Sequence, residues 1–160
     1  MRQMATSPPG IYFVETDSKD QRSCLCRWVE RFYEERKRIL IVADSTMAAQ
    51  HLDSMLWSFS DMSFIPHRIL GADEAGSLVE PVLITVGEKR LEGFDVLVCD
   101  GLVDPELMAL YPVVVHFVLL DDQERKQASR LLWQSAKERG LVLYHVPCAS
   151  GPRMAGSEDR

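Results

Sequence analysis

The sequence predicts a doubly wound α/β fold, a mainly parallel sheet with helices on both faces. Three observations predict it. Apolar runs rich in β-branched residues recur along the chain, most clearly "RILIVAD" (38–44) and "FDVLVCDG" (94–101). Such runs, without polar alternation, mark strands covered on both sides. Amphipathic helical stretches alternate with them, and strand–helix alternation is the pattern of a parallel sheet. Finally, 160 residues, 46% hydrophobic and 26% charged, suit one ordinary globular domain.

The first strand is "GIYFVET" (10–16), after a Pro-Pro-Gly break. A helix over roughly Lys19 to Arg36 follows, with Leu25, Trp28, Val29 and Phe32 on one face. After the strand at 38–44, a second helix spans about Thr46 to Phe59, with Ser45 or Thr46 as N-cap. Loop-like sequence, "FIPHRILGADEAGS" (64–77), leads to a strand at "PVLITVG" (81–87). The strand at 94–101 precedes a short helix, "DPELMALY" (104–111). "VVVHFVLL" (113–120) is a strand, "DDQERKQASRLLWQSAKERG" (121–140) a helix, and "LVLYHVP" (141–147) the last strand. The domain so defined covers 10–147; residues 1–9 read as a flexible N-terminus and 148–160 as a disordered tail.

A net charge of −6 argues against general affinity for nucleic acid, so any basic site must be local. The segment Asp122–Arg139 is such a place, with five Lys/Arg against three Asp/Glu. The four cysteines form no C-x-x-C pair; Cys24 and Cys26 point about 200° apart on a helix, a poor metal clamp. They read as free thiols of a reducing compartment. The chain has neither an apolar run of the ~18 residues that span a bilayer nor a signal-peptide core, so the reading is a cytoplasmic protein with no membrane partner.

Phosphate chemistry is the first function to test on this fold. The first strand runs through "IYFVETDSKDQRS" into its helix without glycine, and close approach of backbone to a pyrophosphate needs glycine there. No G-x-x-x-x-G-K-[ST] occurs. Asp100 reads as a structural strand end. His51, His67, His116 and His145 lack partners at ligand spacing, and His116 and His145 sit in strands, where a hydrogen-bonded structural role is expected. No catalytic constellation, metal site or cofactor site emerges. A nucleotide-dependent or helicase-derived enzyme with an unrecognised site, and a direct nucleic-acid binder using the basic helix, stay open as alternatives.

Two aromatic features remain. Trp57, Phe59, Phe64, Ile65 and Pro66 crowd a helix end and the loop beyond, a patch of the kind that marks protein interfaces. In the last helix, the wheel gathers Ala128, Leu131, Leu132, Ser135 and Ala136 as the buried face. Lys126, Arg130, Trp133 and Lys137 then fall within about 60° on the opposite face. A tryptophan framed by three cations, its back to the core, suits a ligand carrying both carboxylates and a hydrophobic side chain.

The order "GKRxLIxxxD…LDxxLW…SFxPHxLxG", present as "RKRILIVADSTMAAQHLDSMLWSFSDMSFIPHRILG" (36–71), closely resembles the chi subunit of bacterial DNA polymerase III. The likeness continues through "VVVHFVLLDDQERKQASRLLWQSAKERGLVL" and covers most of residues 10–146. The resemblance implies a Rossmann-like fold with neither nucleotide nor catalysis. It implies a replisome adaptor that joins the clamp loader through the psi subunit. It also implies binding to the acidic C-terminal tail of single-stranded-DNA-binding protein, and so to single-stranded DNA only indirectly. That tail ends in a hydrophobic residue with a free carboxylate, preceded by aspartates. The family's tail-binding lysine, arginine and aromatic fall on Lys126, Arg130 and Trp133. Tryptophan stands where tyrosine is usual, and Gln134 where a lysine can stand, with Lys137 as a substitute charge. The psi contact maps onto Trp57, Phe64 and Pro66.

Overall fold

The computed structural model describes residues 8–59, 64–71 and 79–148. The expectations for most of the N-terminal and C-terminal segments therefore lie outside the described residues. Pro8 and Cys148, within them, are both tied to the domain: Tyr12 Oη donates to the Pro8 carbonyl at 2.9 Å, and the Cys148 amide to Glu15 at 3.0 Å.

Among the described residues, seven strands and four helices follow one another, alternating except at the run of three strands after α2. They are β1 (Gly10–Thr16), α1 (Gln21–Glu34), β2 (Ile39–Ala43), α2 (Thr46–Ser58), β3 (His67–Ile69) and β4 (Val82–Val86). After them come β5 (Val96–Cys99), α3 (Pro105–Met108), β6 (Val113–Leu119), α4 (Gln123–Glu138) and β7 (Leu143–Val146). The strands form one sheet in the order β3-β4-β2-β5-β6-β1-β7, and every pairing is parallel. This is the doubly wound fold that the alternation predicts.

The two faces carry separate cores. α1 and α2 press Leu25, Val29, Phe32 and Leu52 onto Ile39, Ile41 and Val98. α3 and α4 cover the other face, where Met108, Leu132 and Ala136 meet Phe13, Leu40 and Leu97. β2, in the middle, is buried along its whole length, which is why its sequence shows no polar alternation.

Local chemistry sets the helix ends. Ser45 caps α2 by accepting the Ala48 amide at 3.1 Å, and Asp122 caps α4 by accepting the Arg125 amide at 3.0 Å. α1 ends in a left-handed turn at Arg36 (φ 65°), closed by Lys37 N–H to Phe32 O at 3.0 Å. The resembling motif has glycine at that position, the residue that adopts a positive φ without a Cβ clash.

Three expectations are corrected. The stretch at 64–77 is not simply loop: its His67–Ile69 forms the outermost strand, paired along β4. With one neighbour and a mixed polar sequence, an edge strand of three residues carries no apolar run to betray it. In α4 the buried line is Ser129, Leu132 and Ala136, and Leu131 is 61% exposed. The helical short stretch expected at 104–111 narrows to Pro105–Met108.

Candidate functional site

α4 lies along β6, β1 and β7, and a cleft of about 460 Å³ opens between the helix and these strands. Lys126, Arg130, Trp133, Gln134 and Lys137 all line it. The five residues singled out in the helix thus share one cavity.

Trp133 does not turn its back to the core. It is half-buried and packs onto the core of the α4 face, meeting Phe13 edge-on with ring centroids 4.9 Å apart. At 100° per residue, Trp133 stands about 40° from Ser129, so it sits at the margin of the buried face rather than opposite it. One edge of the indole is fixed by Phe13 and the remainder walls the cleft.

The floor comes from strand alternation. Side chains two apart on a strand share a face, so Phe13 and Glu15 of β1 both look toward α4. Phe13 is paired with His116 on β6 and with His145 on β7, and Glu15 with Val118. Phe13, Val118 and Leu120 make the apolar part; Glu15 and His145 the polar part. Residues 13, 15, 118 and 145 are far apart in sequence, so helix periodicity could not find them. The signal that could is period-two alternation once the order β6-β1-β7 is known.

Glu15 is an acid in a cationic cleft, but both its oxygens are engaged. Oε2 lies 2.8 Å from His145 Nε2, and Oε1 accepts the Cys148 amide at 3.0 Å. Lys126, Arg130 and Lys137 make no ion pair among the described residues, so their charge is available to a ligand. Beneath the helix, His116 is fully buried, with Nε2 2.8 Å from Ser129 Oγ. Burial, reinforced by the nearby Arg125 charge, pushes its proton affinity down to about 3. It is a neutral, structural histidine, as its place in a strand suggests.

The second aromatic feature sits at the other edge of the sheet. Trp57, at the end of α2, is 51% exposed and Phe64 69%, with ring centroids 5.6 Å apart. Pro66 is half-buried, while Ile65 turns into the core and Phe59 packs against it. His67 anchors this edge: its Nδ1 lies 2.7 Å from the Ile65 carbonyl and its Nε2 3.1 Å from the Asp53 carbonyl on α2. Trp57 packs against its ring in a tilted contact, centroids 4.2 Å apart.

The family described as "DNA polymerase III chi subunit, HolC" matches residues 9–144. The chain belongs to that family. It is 27% identical over 126 residues to the DNA polymerase III subunit chi of Haemophilus influenzae, covering 78% of this chain and 86% of the relative. To the subunit chi of Escherichia coli it is 28% identical over 120 residues, covering 74% and 80%. To that of Pseudomonas aeruginosa it is 25% identical over 118 residues, covering 74% and 80%. As a member of the chi family the chain is an accessory subunit rather than a catalytic one, and its process is DNA replication. The matched region takes in both edges of the sheet: α2 and β3 on one side, α4 on the other. No helix among the described residues is long and apolar enough to cross a membrane.

Proposed function

We propose that this protein is a replisome adaptor that holds the acidic C-terminal tail of single-stranded-DNA-binding protein at one sheet edge and the psi subunit of the clamp loader at the other. The observation that carries the reading is the α4 cleft: three cations, without ion pairs among the described residues, around a tryptophan wall and an apolar floor. A ligand for it needs carboxylates and a hydrophobic group together. Arg130 forks onto the terminal carboxylate, because a planar guanidinium matches that group in two parallel hydrogen bonds. The terminal hydrophobic side chain lies between Trp133 and Phe13, and Lys126 and Lys137 draw in the aspartates. Gln134, on the rim, hydrogen-bonds the peptide backbone. At the opposite edge, Trp57, Phe64 and Pro66 receive psi by burying exposed aromatic surface. Single-stranded DNA is engaged only through its binding protein.

A fluorescence titration of Trp133 with a tail peptide and with the same peptide lacking its final residue tests the reading. The truncated peptide should lose binding although every aspartate remains. Arg130→Lys should weaken the intact peptide despite keeping the charge. Equal affinity for both peptides would reduce the cleft to a solvated basic face.

A further inference from the structure

A second cavity, about 380 Å³ and distinct from the α4 cleft, lies over the carboxyl ends of β1, β2, β5 and β6. Its position follows from the winding of the sheet. The helix after β2 packs on one face and the helix after β5 on the other, although the two strands are neighbours. The same reversal occurs between β1 and β6. Loops leaving neighbouring strands in opposite directions open a crevice, and crevices at such switch points are where open α/β sheets take ligands.

The chemistry inside is polar. Asp100 is already engaged: Arg22 Nη2 donates to it at 2.8 Å and Gln21 Nε2 at 2.9 Å. Asp44 lies against Gly101, where any Cβ would overlap its carboxylate. Besides Arg22, the lysine and arginine that line it are Lys19 on the rim and Arg125, which reaches in from the first turn of α4. Arg125 Nε and Nη2 are shielded from water and have no hydrogen-bond partner among the described residues. Those two nitrogens form the guanidinium edge that grips an oxyanion in paired hydrogen bonds. An unpaired buried donor is costly, and no bond holds this edge in place, so turning it into the cavity gains what it now lacks. α1 also opens here, and the side chain of its N-cap residue, Asp20, accepts no capping hydrogen bond. Its first-turn amides add positive potential on the same side.

We infer that this crevice is a binding site for the phosphate group of a small molecule, clamped by Arg125 with Lys19 at the rim and independent of the α4 cleft. The sequence lacks a glycine-rich phosphate loop, so the clamp is a side chain rather than a cradle of backbone amides.

Chemical-shift mapping of the 15N-labelled chain with inorganic phosphate and pyrophosphate, at ionic strength matched with sodium chloride, is the test. Saturable shifts should centre on Gln21–Ser23 and the Arg125 Nε–H. Arg125→Gln should weaken binding about tenfold, as loss of a charged hydrogen-bonded pair does, while Arg130→Ala leaves it unchanged. Arg125→Gln should keep the wild-type melting temperature because no side-chain bond is lost. If it does not fold, Lys19→Ala, at an exposed position, should still weaken binding several-fold. Shifts that drift linearly as with chloride overturn the site. So does binding that falls in Arg130→Ala and survives Arg125→Gln, or a crevice that takes an acidic peptide but no phosphate.

Discussion

The two edges of the sheet expose different chemistry. At the β3 edge the exposed groups are aromatic, and the nearby polar groups meet each other: Arg68 pairs with Glu80 at 3.1 Å, and the His67 ring lies 3.3 Å from the Asp53 carboxylate. At the β7 edge three cations stand around one half-buried tryptophan, without ion pairs among the described residues. Six strand spacings separate the edges, roughly 29 Å at about 4.8 Å each. Apolar burial at one edge is insensitive to salt, whereas charge at the other steers a ligand in and is screened. Under the proposed function, a single sheet offers two docking faces that share no residue and no dominant force.

The sharpest break of the comparison is at the aromatic edge. Trp57→Ala with Phe64→Ala should cost on the order of 4 kcal/mol of psi binding, the sum expected of two aromatic anchors. Both rings are mostly exposed, so the melting temperature should barely move, and tail-peptide affinity should be unchanged. A collapse of the fold in that variant would remove the distinction between interface and core.

Acid should act on the opposite edge. His116 has its proton affinity lowered from 6.5 to about 3 in the folded chain. The unfolded chain therefore binds the extra proton between those values, and stability falls as pH drops through this window. By pH 4 the loss is roughly 3 kcal/mol at 1.36 kcal/mol per unit. His116→Gln should flatten that slope in urea titrations at stepped pH. Hydrogen exchange in wild type should rise first in β6 and α4, not in α2.

Trp133→Ala comes next, at about 2 kcal/mol of tail affinity, with about 1 kcal/mol of stability from the lost edge-on contact with Phe13. Calorimetry with psi should show no change. The smallest effect is a control on both edges. Arg36→Gly relieves a positive φ at the end of α1 and should raise stability by about 1 kcal/mol. Neither binding reaction should respond.

Much of this was legible in the residues. The central strands were visible because β2 and β5 are buried on both sides and their sequences are uninterrupted apolar runs. β3 was not, since "HRI" pairs with one neighbour and turns charge outward. Helical spacing brought Lys126, Arg130, Trp133 and Lys137 together correctly as neighbours, and their shared cleft follows from that. The orientation of the helix was misread because Leu131 was counted as core by its hydrophobicity. The buried position is instead held by Ser129, whose partner is His116 on β6. The strand position of His145 suggests its hydrogen-bonded role, but its partner Glu15 and their place in the cleft are not legible, because their 2.8 Å contact joins residues 130 positions apart.

That separation has a consequence for how the molecule comes into being. β1 lies between β6 and β7, so the first strand made pairs only with the last two. The aromatic edge, by contrast, is drawn from Trp57 to His67, a short local segment. During synthesis the α2–β3 hairpin of contacts can assemble while the chain is still growing. The tail cleft cannot exist until residue 146 has left the ribosome, because its floor is the junction of the chain's beginning and end. A chain cut short after α4 would lack β7, His145 and the closure of that floor, yet keep every residue of the aromatic edge. Early termination would leave a chain with the aromatic edge whole and the cationic cleft unfinished.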